Sequence, residues 1–112
     1  VRMVARDVLL DLGYEVSEAI DGAQGLRIFN REAEHIELLI TDVGLPGGMN
    51  GRQVADAARA VRADLKVLFI TGYAENAVVN NGHLTPGMQV LTKPFTVEDF
   101  VQRVQGLLAK TN

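Results

Sequence analysis

The spacing of apolar residues switches several times along the chain between a helical period and short unbroken runs. Val1, Val4, Ala5, Val8 and Leu12 recur at helical intervals with Arg2, Arg6, Asp7 and Asp11 between them, which predicts an amphipathic helix stopped by Gly13. Tyr14, Val16 and the residues up to Ala19 predict a short strand, ended by Asp21-Gly22, where Asp21 can cap the next helix. That helix is expected to run to about Ala33 and to bury Ala23, Leu26 and Phe29. Leu38, Leu39 and Ile40 are too few for a helix and are followed by β-branched Thr41, so they predict a strand buried on both faces.

Beyond a glycine-rich stretch, Val54, Ala57, Ala58 and Val61 mark one face of a third helix, whose small residues permit close approach to a sheet. Lys66 to Thr71 predicts a second fully buried strand and Met88 to Thr92 a last one. Between them, Ala74 to Asn80 allows a short helix, and Asn81, Gly82, Pro86 and Gly87 predict irregular chain. Thr96 with Asp99 three residues on resembles a capping box, and Val97, Phe100, Val101, Val104, Leu107 and Leu108 give the final helix an apolar face. Alternation of this kind predicts an α/β domain, a parallel sheet of four strands with helices on both faces. It opens on a helix, where such a fold ordinarily opens on a strand.

Three strands end in polar chemistry. Asp42 closes the strand of Leu38 to Thr41 and is followed at once by Gly44, Pro46, Gly47, Gly48 and Gly51. Thr71 ends the next, and Lys93 follows the last. Parallel strands put these ends at one edge, the edge where open α/β sheets hold ligands. A carboxylate can attack phosphorus to give an acyl phosphate, with an ammonium and a hydroxyl to balance and bind the transferred group. Mg²⁺, held by carboxylate and backbone oxygens, ordinarily adds to that balance.

Composition narrows the rest. At 112 residues the chain fits a single domain with one core, and 47% hydrophobic against 22% charged residues suits a folded one. A net charge of -3 argues against nucleic acid or an anionic membrane as a direct partner. There is no cysteine, hence no disulfide or thiolate metal site, which is compatible with the cytoplasm. No apolar run approaches ~18 residues, so no membrane helix is expected.

The stretches L-L-I-T-D-V-G-L-P-G-G-M-N-G around Asp42, L-F-I-T-G ending at Thr71 and Gly72, and V-L-T-K-P-F around Lys93 together resemble the receiver domain of two-component response regulators. The resemblance spans the chain. It implies a flavodoxin-like, doubly wound sheet in a cytoplasmic, non-enzymatic signal relay that accepts phosphoryl from a histidine kinase or phosphotransfer domain. By position, Asp42 resembles the phosphoacceptor, Thr71 the hydroxyl that closes on the phosphoryl group, and Lys93 the lysine that pairs with it. Gly44 resembles the residue whose backbone carbonyl joins Asp42 in binding Mg²⁺, and Lys93-Pro94 the bond that is cis in the family.

Several departures accompany the likeness. The family's first strand and the acidic pair after it precede the first helix, and no substitute pair is visible; Asp7 and Asp11 lie on a helix running away from the site. Residues 1–112 are therefore expected to be a receiver domain shortened at its amino end, with weak Mg²⁺ binding and poor phosphorylation. The Tyr14 and Leu38 strands are expected to pair directly, to exchange strands between chains, or to leave a place for residues not in the sequence. Val90 stands where the family has a switch aromatic, three residues before Lys93. The paired Gly47 and Gly48 and T-G-Y-A-E-N-A resemble receivers at the carboxyl end of hybrid sensor kinases.

Plainer readings exist for each residue. Asp in a loop is commonly a cap, Thr a common strand residue, and Lys a solvated charge; their shared register favours the catalytic reading. Tyr73 either flanks the pocket or is a surface residue. His35 and His83 lack metal-ligand spacing, and Met3, Met49 and Met88 read as packing residues. Two rivals remain. One is an interaction module that is not phosphorylated. The other is an aspartyl-phosphate hydrolase of the haloacid dehalogenase type, which needs an acid two residues after its nucleophile, where this chain has Gly44.

Overall fold

A computed structural model describes residues 5–19, 21–43, 48–71, 87–93 and 95–109. Four helices, α1 (Ala5–Asp11), α2 (Gly22–Glu32), α3 (Gly51–Val61) and α4 (Val97–Ala109), accompany three strands, β1 (Leu38–Asp42), β2 (Lys66–Thr71) and β3 (Met88–Thr92). The strands form one parallel sheet in the order β1-β2-β3. The possible helix over Ala74 to Asn80 and the Lys93-Pro94 bond lie outside the described residues.

Strand β2 is the centre of the molecule. Successive side chains of a strand point to opposite faces, and here each face has its own core. Val67 and Phe69 join Phe29, Val43, Ala55, Ala58, Leu65 and Met88 under α2 and α3. Leu68 and Ile70 join Leu91, Phe100, Val104 and Leu107 under α4, and Val8 and Leu9 of α1 pack against that cluster. A strand buried on both faces has no polar side to show, which is why K-V-L-F-I-T reads as an unbroken apolar run.

The helix boundaries have local causes. Gly13, at φ +92°, adopts the left-handed conformation that ends α1. Asp21 caps α2, its carboxylate accepting from the Gln24 amide at 2.8 Å. Asn50 and Gln53 form a reciprocal capping box at the start of α3. The Thr96 hydroxyl accepts from the Asp99 amide at 3.0 Å, as the spacing predicted. Arg62 Nη1 donates to the carbonyls of Ala33 and Ile36, tying the turn before β1 to the turn before β2.

Some sequence expectations are corrected. Tyr14 to Ala19 is not a strand: these residues carry no ladder, and a strand exists only through a neighbour. Neither does this segment pair directly with β1 among the described residues; a cavity of about 1010 Å³, lined by both, lies between them. Leu38, Leu39 and Ile40 are consequently half-buried, because one edge of β1 is open. Ala23 is exposed and Leu26 half-buried. In α3 the buried face is Val54, Ala55 and Ala58, while Val61 at 57% and Val97 of α4 at 48% are exposed.

Helix α3 starts against the end of β1. The Gly51 amide donates to the Val43 carbonyl at 2.8 Å, and a Cβ at Gly51 would clash with the backbone carbonyl of Asp42. Backbone cannot rotate away as a side chain would. Gly51→Ala is expected to cost about 2 kcal/mol in urea unfolding, and to shift the Asp42 amide resonance more than those of β3.

Candidate functional site

The carboxyl ends of the three strands converge. In register, Asp42 pairs with Ile70 and Thr71 with Thr92, so Asp42, Thr71 and Lys93 all fall within one residue of the same edge. Two backbone bonds fasten that edge. The Val43 amide donates to the Ile70 carbonyl at 3.1 Å, and the Lys93 amide to the Thr71 carbonyl at 2.7 Å. Each strand's last side chain is thereby fixed by the strand beside it.

Neighbouring strands stand about 4.8 Å apart, which puts β1 and β3 about twice that distance from each other across β2. The four-carbon stem of Lys93 spans the gap, and its Nζ lies 3.5 Å from Asp42 Oδ1. Both side chains are about half exposed, at 51% and 49%. An ion pair so open to water contributes about 0 to 1 kcal/mol. Stability therefore does not account for it.

Thr71 is different. It is fully buried, and its hydroxyl has no hydrogen-bond partner among the described residues. An unsatisfied buried hydroxyl costs about 1 to 3 kcal/mol, a cost that function explains better than folding. Under the end of β2, between a carboxylate on one side and an ammonium on the other, it is a donor without an acceptor. An anion bound at Asp42 and Lys93 would supply one.

The donor set for Mg²⁺ is short. Asp42 offers a single carboxylate, and among the described residues no three His, Cys, Asp or Glu side chains gather as a metal-holding group. Asp21 is engaged as the cap of α2. Gly44, named from the resemblance as a carbonyl ligand, lies outside the described residues, as do Tyr73 and His83. These residues do not fit a complete Mg²⁺ site. His35 is exposed, Met49 half-buried, and Met88 buried in the core. Val90 is half-buried against the core below α2 and α3.

Sequence reasoning passed over Gly51 and the Asn50–Gln53 box, which hold α3 against Asp42. The signal was present: N-G-R-Q places an amide acceptor and a Gln three residues apart, a helix-start signature.

With this geometry in place, comparison with known proteins is direct. The profile described as "Response regulator receiver domain" matches residues 1–105, and the chain belongs to that family. It is 31% identical over 110 residues to the sensor kinase CckA of Brucella abortus, covering 98% of this chain and 12% of that protein. It is 33% identical over 96 residues to the response regulator receiver protein CpdR of Brucella abortus, covering 86% of this chain and 78% of CpdR. The crystal structure of a response regulator receiver protein from Sinorhizobium medicae superposes with a TM-score of 0.84 at 27% identity, covering 96% of this chain and 84% of that one.

The chain is thus a phosphoacceptor receiver domain of two-component signalling, with the flavodoxin-like α/β fold of its relatives. Receiver domains work as signalling phosphoacceptors with histidine kinases or phosphotransfer proteins, and they generally bind Mg²⁺ at the phosphorylation site. No described helix is long and apolar enough to cross a membrane.

Thr71→Val keeps the shape and removes the unpaired hydroxyl. It is expected to raise stability by about 1 kcal/mol in chemical denaturation, while reducing phosphoryl transfer to the chain.

Proposed function

We propose that Asp42 is the residue phosphorylated, from a phosphohistidine on a cytoplasmic histidine kinase or phosphotransfer domain. The observation that carries this reading is the ion pair of Asp42 with Lys93 beside the unpartnered hydroxyl of Thr71. One carboxylate oxygen of Asp42 attacks phosphorus, so that a P–O bond forms as the P–N bond to the donor imidazole breaks. The electron pair of the broken bond stays on the imidazole nitrogen, which takes a proton from solvent. Lys93 balances the negative charge on the transferred group, and Thr71 donates its hydroxyl to one of that group's oxygens. Neither residue reacts. The chain relays a signal and turns over no substrate of its own.

The parent protein is proposed to be a hybrid sensor kinase, a reading supported by the identity to CckA. A second reading is favoured by one observation. With a single carboxylate at the described site, the chain fits an interaction module that keeps the fold without the phosphorylation.

Label from a phosphohistidine donor is expected to reach this chain slowly, to be released by hydroxylamine as acyl phosphates are, and to vanish in Asp42→Asn. Lys93→Met is expected to slow transfer by about 100-fold. Undiminished labelling of Asp42→Asn would remove Asp42 from its role. No label on the chain, together with no binding of the phosphoryl mimic beryllofluoride by this chain or by a version extended at its amino end, would establish the interaction module. A magnesium titration of the 112-residue chain is expected to show no saturation below about millimolar concentrations, consistent with one carboxylate where Mg²⁺ ordinarily has one or two plus phosphate oxygens.

A further inference from the structure

The cavity between residues 14–19 and β1 is too large and too apolar to be a packing defect. Protein interiors hold few voids larger than a water molecule, and this one measures about 1010 Å³. One wall is the free edge of β1, which pairs on its other side with β2. In a strand paired on one side, alternate N–H and C=O groups point away from the partner. The opposite wall is the unladdered segment holding Val16 and Ala19. Phe29 and Val54 line it from the α2 and α3 layer, and Leu9, Val104 and Leu108 from the α1 and α4 layer.

We propose that this slot is a strand-acceptor site, and that its occupant is one extended, continuously apolar polypeptide segment from outside residues 1–112. The shape of the walls selects the occupant. Backbone edges left and right require a ligand that offers N–H and C=O groups on both sides, which an extended chain does and a helix does not. Apolar layers above and below require apolar side chains at successive positions, since these alternate between the two layers. The length is that of β1, about five residues at about 3.3 Å each. Parallel alignment with β1, as in the rest of the sheet, carries the carboxyl end of the segment to Asp42, which also lines the slot.

A second copy of the chain is a poor source of this segment. Its β1, β2 and β3 are engaged in its own sheet, and its residues 14–19 form a wall of its own slot. The inference is independent of phosphorylation at Asp42, because a strand can bind whether or not that carboxylate is ever modified.

The test uses the whole chain and a synthetic peptide of about six Val, Ile and Leu residues, with terminal lysines for solubility. Two comparison peptides have the same length. One alternates serine with the apolar residues, and the other has a central proline. The apolar peptide is expected to bind saturably at one per chain and to slow exchange of alternate amides in Leu38 to Thr41. The comparison peptides are expected to bind at least about tenfold more weakly, the first because it leaves one layer facing hydroxyls, the second because it loses a ladder bond. Equal binding of all three, or no binding and no protection of β1, would overturn the proposal. So would protection of β1 that appears with chain concentration alone and accompanies a dimer in sedimentation, since a second copy would then fill the slot.

Discussion

The register of β2 between β1 and β3 is the constraint on which the molecule depends. Because β2 is buried on both faces, a slip of one residue would move Phe69 from one core to the other and drive Leu68 or Ile70 in after it. Such a slip is prohibitive. The same register that satisfies two cores therefore also decides which residues finish level at the carboxyl edge. Asp42, Thr71 and Lys93 meet there as a by-product of packing many ångströms below them, and the two backbone bonds at Val43 and Lys93 only confirm a position already set.

Within the site the three groups are unequal. Asp42 and Lys93 stand half in water and attract one another weakly, so either can turn toward a bound group at small cost. Thr71 has no such freedom. It is buried with its hydroxyl unpartnered, and a donor fixed in that way needs no rearrangement to meet an incoming oxygen. Two adjustable charges around one fixed donor suit a group that arrives from another protein and must later leave.

What was legible in the sequence followed from how locally each feature is determined. The strands β2 and β3, the Asp21 and Thr96 caps and the stop at Gly13 each rest on a few adjacent residues, and they were found where their patterns put them. The convergence of the site was legible because strand ends in a parallel sheet share an edge whatever the length of the connections. Burial was read less well. Val61 and Val97 complete a helical pattern yet lie beyond the sheet's reach, and Ala55 is buried off the expected stripe, because what a helix buries is decided by its neighbours. The segment at Tyr14 failed for a deeper reason. Its composition suits a strand, but pairing is a property of two segments, and no single stretch of sequence reports whether its neighbour is in place.

The contact at Gly51 has a mechanical consequence. Helix α3 is geared to the end of β1 with no slack, since the Asp42 carbonyl occupies the space a Cβ would need and the Gly51 amide is held by the next carbonyl along. Eleven residues at about 1.5 Å each make α3 a lever of roughly 16 Å. A displacement of a few tenths of an ångström in the backbone at Asp42 becomes a larger swing at the far end, where Val61 already faces solvent. Any message written at the carboxylate thus has a rigid arm on which to travel to the opposite rim of the molecule.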